Sequence, residues 1–260
     1  MKERPTFPAK LATAQHPAGP GSAKARSLPA PLPPAQGLGM DSVAVRMRMV
    51  HLLQKQGVSD AAVLAAMGTV ERHRFVDSAL VNQAYEDTSL PIGLGQTISK
   101  PGVVARMLEL LRNGATGTLG RVLEVGTGCG YQAAVLSLLA REVYSIERLR
   151  GLHDKARDNV RYARLANLHL LFGDGMQGFA AGAPYAGIIA AAGGEAVPQA
   201  WVDQLAVGGR LVAPIAAPAH GALHAKAAGQ ALVVLDKTAA GVRQTVLEAV
   251  HFVPLKSGVA

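Results

Sequence analysis

The chain has 260 residues, a formal charge of +8, 49% hydrophobic residues and 17% charged ones. At that length roughly 70–75% of the unfolded chain's surface is buried on folding, so no covalent staples are needed, and the single cysteine, Cys129, excludes an internal disulfide. No apolar run reaches the ~18 residues of a membrane span, and the start Met1-Lys-Glu-Arg-Pro-Thr-Phe-Pro8 lacks the apolar centre of an export signal; with one cysteine, a cytoplasmic protein is expected.

Residues 1–40 hold five basic side chains, one acid and eight of the 15 prolines. This composition reads as a disordered Pro/Ala-rich basic tail. Weak contact with acidic partners is open to it; a solvated extension is the plainer reading. The remaining positive charge is dispersed, with no basic patch interleaved with aromatics, so no nucleic-acid partner is expected.

From Asp41 the pattern changes, and residues 41–260 read as one domain. Val43, Met47, Val50 and Leu53 recur at helical spacing. Gly57 ends that helix, and Ser59 is placed to cap a second one from Asp60 to about Met67. Arg72–Val76 leads to a segment over 85–99 that reads as a polar, glycine-containing loop, too long for a plain connector. Pro101 suits the first turn of a helix, and Val104, Met107, Leu108 and Leu111 form one apolar face. Residues 41–112 are thus a helical part carrying a loop, and 113–260 are a sheet core.

In that core, strands are predicted at 121–125, 142–146, 168–172, 186–192, 209–215, 231–236 and 246–253. Helices are predicted at 130–140, 149–163 and 197–205. The alternation predicts an α/β, doubly wound, Rossmann-like fold with a seven-stranded, mostly parallel sheet. Asp236–Gly241 reads as a turn, so the last two strands should form an antiparallel hairpin at the sheet edge.

The chemistry concentrates in Arg121-Val-Leu-Glu-Val-Gly-Thr-Gly-Cys-Gly130. Gly126, Gly128 and Gly130 permit backbone angles closed to other residues and let a ligand lie against the main chain, and the following helix points free N–H groups at it. Glu147 lies 23 positions after Glu124, the span of one strand–helix–strand unit, where a carboxylate accepts from both ribose hydroxyls. The dinucleotide fingerprint would put its third glycine at Tyr131, and Glu124 would sit badly beside a pyrophosphate. A cofactor with an ammonium and a sulfonium suits this loop better, so S-adenosylmethionine is expected and a nicotinamide cofactor is disfavoured. A ligand-free glycine turn is the bland alternative.

Other groups point to less. His51, His73, His153 and His169 lack metal-ligand spacing; His220 and His224, four apart, would share one face of a helix, but Pro218 and Gly221 argue for a loop there, so no metal site is expected. Cys129, near a helix N-terminus, is expected to have a lowered thiol pKa and to block the cofactor pocket when modified; a buried, inert small residue is the alternative. Asp87 either lines the loop or caps a turn. Ser99, two positions before Pro101, either caps that helix or acts in the site.

Leu90-Pro-Ile-Gly-Leu-Gly-Gln-Thr-Ile-Ser99, Leu123-Glu-Val-Gly-Thr-Gly-Cys-Gly-Tyr-Gln132, Val143-Tyr-Ser-Ile-Glu-Arg148 and Gly173-Asp-Gly175, in that order, resemble the protein-L-isoaspartate O-methyltransferase family. Arg46-Met-Arg-Met-Val50, Gln204-Leu205 with Gly208-Gly-Arg-Leu-Val212, and His251-Phe-Val-Pro-Leu255 extend the resemblance over roughly residues 43–258. It implies an S-adenosylmethionine-dependent methyltransferase fold, a monomer, and isoaspartyl-containing proteins and peptides as partners. The implied activity is esterification of the free α-carboxylate of L-isoaspartyl residues, with return to aspartyl bonds through a succinimide. By position, Ser99 matches the active-site serine. Gln96, Thr97 and Ile98 match the stretch that closes over cofactor and substrate; Glu124, Gly126, Thr127 and Gly128 match the methionine-side loop. Glu147 matches the ribose ligand, and Asp174 and Gly175 match the pair beside the adenine. Three departures stand out: Cys129 replaces a common Ser, Ala186 a usual Asp, and Ala191 a usual Thr. They leave open a transferase for another carboxylate acceptor, or a cofactor-binding protein that has lost transfer. Methyl transfer to a carboxylate needs alignment and water exclusion rather than a general base, and Ser99 suits a hydrogen bond to that carboxylate.

Overall fold

The computed structural model describes residues 43–217 and 229–260; the expected tail at 1–40 and the His220/His224 pair lie outside them. Three helices come first: α1 (Val43–Lys55), α2 (Ala61–Thr69) and α3 (Pro101–Arg112). The apolar stripe of α3 is as expected, with Val104, Met107, Leu108 and Leu111 all buried. That of α1 is rotated: Arg46, Met49, Val50 and Leu53 are buried, whereas Val43 and Met47 are 63% and 49% exposed. The rotation follows from packing on α2, where Arg46 Nε donates to the Gly68 carbonyl (2.7 Å) and Val50 meets Gly68.

The cap of α2 is Asp60, not Ser59. Asp60 Oδ1 accepts from the amides of Ala62 (2.9 Å) and Val63 (3.1 Å), while the Ser59 hydroxyl turns to Glu109 (3.0 Å). The 85–99 segment is not all loop. It contains an antiparallel hairpin, β1 (Leu90–Gly93) and β2 (Gln96–Ile98). Its tip, Gly93-Leu94-Gly95, has positive φ throughout (98°, 51° and 70°), a geometry that glycine carries without strain. Leu90, Ile92 and Ile98 are buried beneath it.

The main sheet comprises β3 (Leu119–Val125), β4 (Ala140–Glu147), β5 (Leu168–Phe172), β6 (Tyr185–Ala190), β7 (Leu205–Ala216), β8 (Gln230–Thr238) and β9 (Gly241–Val250). Their order is β5-β4-β3-β6-β7-β8-β9. The first five are parallel, and β8 and β9 run antiparallel to their neighbours. All seven predicted strands are therefore present. β9 lies earlier than expected: residues 251–253 have left the sheet and turn toward the site. Three helices connect the strands: α4 (Tyr131–Ser137), α5 (Arg150–Val160) and α6 (Gln199–Gln204). Each is shorter than predicted. α5 gives way to a 3₁₀ turn at Arg161–Ala163 that ends in left-handed Arg164.

Side chains alternate across the pleat. Val122, Val143, Ile189 and Val212 join a core with α1–α5 on one face. Leu123, Val125, Ile146, Ile188 and Leu211 join a second core around Trp201 of α6 on the other. β3 lies between β4 and β6, so the strand order reverses beside it, and a crevice opens at the carboxyl ends of these strands. Trp201 braces one wall: it is fully buried, and its indole N–H donates to the Gly175 carbonyl (2.8 Å). Trp201→Phe keeps an aromatic ring but removes that bond, leaving the carbonyl its second donor, Gly178 N (3.1 Å), and a gap where the larger ring system stood. It should lower stability by about 2 kcal/mol, read as a fall in urea midpoint at unchanged m-value.

Candidate functional site

β3 ends at Val125 and the chain enters Gly126 (φ 93°), Thr127, Gly128 (φ 57°), Cys129 and Gly130 (φ 90°). The Gly126 and Thr127 amides both donate to the Ile146 carbonyl (2.9 and 3.2 Å), and Gly130 N donates to Thr127 O (2.9 Å). The Gly128 amide donates to Glu147 Oε2 (2.9 Å), and the Leu149 amide to Glu147 Oε1 (2.9 Å). Glu147 is 5% exposed. Each of its oxygens accepts one amide and retains a lone pair, so the carboxylate holds the turn and still offers acceptors to a ligand.

Below the turn lies a chain of polar groups. Thr127 Oγ1 meets Ser145 Oγ (2.6 Å), and Ser145 Oγ donates to Glu124 Oε2. Glu124 is fully buried, its Oε1 has no hydrogen-bond partner, and neither has Gln132 Nε2. Burial pushes the Glu124 carboxyl up to about 8, with hydrogen bonding from Ser145 pulling the other way.

A cavity of about 510 Å³ fills the crevice. Gly126, Thr127, Gly128, Glu147 and Gly175 form its floor, and Gln96, Thr97, Ile98 and Ser99 of the hairpin arm its far wall. Two of the residues singled out in the sequence are not on this wall. Glu124 lies beneath it. Asp174 has both carboxylate oxygens engaged by the chain itself: Oδ1 accepts from Met176 N (2.9 Å) and Oδ2 from Gly258 N (2.8 Å). Residues 253–256 cross the cavity, fastened by reciprocal bonds of Gly193 with Val253 O and Leu255 N (both 2.8 Å). The motif His251–Leu255 was visible in the sequence, but nothing there showed that it would cross the site.

A second cavity, about 970 Å³, lies beside the first and shares Thr97, Ser99, Ala191 and Val253 with it. Its other walls carry Lys100, Arg106, Glu248 and His251. Ser99 is half-buried at this junction. It does not cap α3. The N-cap is Lys100, without a side-chain bond, and the Gly102 amide is taken by Asp87 Oδ1 (2.7 Å) from across the loop. Asp87 is thus a remote cap. Ala191 stands at the junction, whereas Ala186 lies near the start of β6, against Gly120.

Cys129 overturns the first of its two readings. It is 3% exposed, and burial pushes its thiol up to about 11, outweighing the turn's amides. Among the described residues no cluster of three His, Cys, Asp or Glu side chains is placed to hold a metal, and no helix is long and apolar enough to cross a membrane.

The sheet order, the glycine turn and the acid ending the neighbouring strand define a nucleoside-cofactor methyltransferase of the S-adenosylmethionine-dependent α/β class. The family model for protein-L-isoaspartate(D-aspartate) O-methyltransferase matches residues 44–260, and the chain belongs to that family. It is 62% identical over 224 residues to a protein-L-isoaspartate O-methyltransferase of Methylibium petroleiphilum (85% of this chain, 81% of the relative). It is 58% identical to one of Leptothrix cholodnii (85% and 77%). Among solved structures, a protein-L-isoaspartate O-methyltransferase superposes with TM-score 0.72 at 28% identity (82% of this chain, 67% of that one). A Plasmodium falciparum protein of beta-aspartate methyltransferase type, solved with S-adenosyl-L-homocysteine, has the same fold at TM-score 0.69 and 24% identity (81% and 98%).

Two outcomes follow from the buried acids. Folded Glu124 holds its proton to about pH 8, whereas the unfolded side chain releases it near 4.5. Stability from this group is therefore full below pH 4.5 and falls as pH rises toward 8. Glu124→Gln should remove that slope, gaining on the wild type by on the order of a few kcal/mol at pH 8 relative to pH 4, as measured by chemical denaturation at both pH values. Native Cys129 should react with iodoacetamide at pH 8 roughly 200-fold more slowly than an unperturbed thiol; a rate near that of the urea-unfolded chain would contradict the burial effect.

Proposed function

We propose that the chain transfers the methyl group of S-adenosylmethionine to the free α-carboxylate of L-isoaspartyl residues in damaged proteins, opening their return to aspartyl bonds through a succinimide. The observation that carries the residue assignment is the junction of two cavities at Ser99, one framed for a nucleoside cofactor and one open to a peptide.

The residues fit the cofactor. Gly126 and Gly128 present bare main chain, Glu147 has acceptor capacity to spare, and Ile92, Leu149 and Leu152 add apolar wall. The methionine part would lie against Gly126, Thr127 and Gly128, with Glu124 acting from below through Ser145 and Thr127. Glu147 would accept from the ribose hydroxyls, and Gly175 would face the adenine. Asp174 fixes Gly175 and the 253–258 crossing and, like Glu147, keeps a lone pair on each oxygen, which would accept from the adenine amino group. When bound, S-adenosylmethionine supplies a methyl group on a sulfonium, open to displacement by an anionic oxygen.

The chain's own residues supply alignment. An α-carboxylate is ionised at pH 7, so no group need remove a proton. Ser99 donates a hydrogen bond that holds the carboxylate at the junction. Gln96, Thr97 and Ile98 cover cofactor and substrate, and exclusion of water strips the attacking oxygen. Both parts of the chain line the second cavity: Asp87, Ser99, Lys100 and Arg106 come from before 113, and Ala191, Glu248 and His251 from after it. We also propose a cytoplasmic monomer, on the strength of the lone cysteine and the family resemblance.

The test is methyl transfer from labelled S-adenosylmethionine to two peptides that differ only in L-isoaspartate against L-aspartate. Label should enter the isoaspartyl peptide alone, and Ser99→Ala should lower kcat by about 10- to 100-fold while cofactor affinity holds. Label on neither peptide, with cofactor bound, would mean a different acceptor or a silenced transferase.

A further inference from the structure

Arg72 is fully buried, yet no carboxylate pairs with it among the described residues. Its donors go instead to two main-chain carbonyls: Nε to Ala84 O and Nη2 to Ser99 O, both at 2.8 Å. Those two residues bracket the segment that carries Asp87, the β1–β2 hairpin and the Gln96–Ser99 wall. The guanidinium carbon lies 4.7 Å from the centroid of the Tyr131 ring, and Nη1 has no hydrogen-bond partner. Tyr131 opens α4 directly after the glycine turn and lines the cofactor cavity. One side chain therefore touches both ends of the acceptor segment and the first residue of the helix behind the cofactor loop.

A buried guanidinium without a counter-ion is an expensive way to fill space, because desolvation of the charge is not offset by a paired carboxylate, and an apolar side chain of similar volume would serve packing better. The geometry of its donors supplies a reason to keep it. Two charge-assisted bonds to carbonyls are strong and directional, and a planar fork spans two acceptors where a lysine ammonium makes a point contact. Elsewhere the segment is held at Gly102 by Asp87, and at its middle by Lys155, whose Nζ donates to Ile92 O (3.0 Å). Its two ends have Arg72.

We propose that Arg72 is a positioning residue for methyl transfer: it clamps the two ends of the 85–98 segment and registers Ser99, through its carbonyl, against the cofactor loop. This rests on Ser99 standing at the transfer point. A drift of about 1 Å in that register costs up to 10²-fold in rate.

The experiment uses Arg72→Lys and Arg72→Met in the full chain. Expected are a 10- to 100-fold lower kcat on the isoaspartyl peptide, a higher peptide KM, a cofactor Kd within twofold of wild type, and faster hydrogen–deuterium exchange confined to residues 85–99. Guanidinium added at millimolar concentration should raise kcat of Arg72→Gly and not of wild type, which a general loss of fold would not show. If Arg72→Met does not accumulate as folded protein, Arg72→Lys carries every readout. Wild-type kcat and wild-type exchange in Arg72→Lys would overturn the proposal, as would a parallel loss of cofactor affinity with exchange raised across the whole sheet. Exchange at 85–99 is read without turnover, so an inactive wild type would sink the isoaspartyl assignment while the clamp is still judged.

Discussion

The arrangement hangs on the Glu147 carboxylate. A parallel strand that must turn into a helix leaves amides unpaired at its end, and such groups are costly when buried. Glu147 takes two of them, from Gly128 and Leu149. The first bond fixes a turn whose glycines hold positive φ, and the second starts the approach to α5. β3, β4 and α5 are thereby locked at the point where the strand order reverses. Without the carboxylate the turn keeps its bonds to the Ile146 and Thr127 carbonyls but loses the one that ties Gly128 to the end of β4. The hairpin wall and the 253–256 crossing are then hung around a floor already set.

Around that floor the fold tolerates polar groups it could have avoided. Among the described residues, four buried side-chain atoms lack hydrogen-bond partners, at Arg46, Arg72, Glu124 and Gln132. Three of them lie on, against or beneath residues that line the first cavity, whereas the fourth, Arg46 Nη1, keeps an ion pair with Glu71 at 3.7 Å. Unsatisfied polar atoms destabilise, so their concentration marks the place where packing yields to chemistry. Glu124 is the sharpest case, a carboxyl held neutral by burial, reaching the turn only through Ser145 and Thr127.

The sheet was legible because period and punctuation agree there. Apolar runs of strand length alternate with helical spacing, and every predicted strand is present. The cofactor floor was legible because glycines and a single acid carry it, and both have short-range signatures. What was not legible depends on partners far along the chain. Whether Ser59 or Asp60 caps α2 is settled by Glu109, 50 residues away, which takes the serine. Whether Ser99 caps α3 is settled by Asp87. The α1 stripe is set by contact with α2, so Val43 and Met47 fit the period and still face outward. The hairpin at 90–98 hid because Pro91 and two glycines read as loop, though its buried Leu90, Ile92 and Ile98 obey strand alternation. Of the two readings open for Cys129, a thiol activated by a helix start and a buried inert residue, the structure bears out the second, because burial is the larger effect.

The same distinction bears on the departures from the family's usual residues. The cofactor side is built from main-chain amides, glycines and one carboxylate, so side-chain drift has little there to act on. The junction is different. Ala191 faces both cavities with a methyl group where the family usually has a hydroxyl, so the missing hydroxyl removes a donor from the junction itself. Ala186, near the start of β6, lies against Gly120 and lines neither cavity. Of the two changes, only that at Ala191, just beyond β6, lies at the junction. Under the assignment proposed above, a hydroxyl missing from the junction leaves alignment more heavily to Ser99, and so to whatever fixes the backbone beneath it.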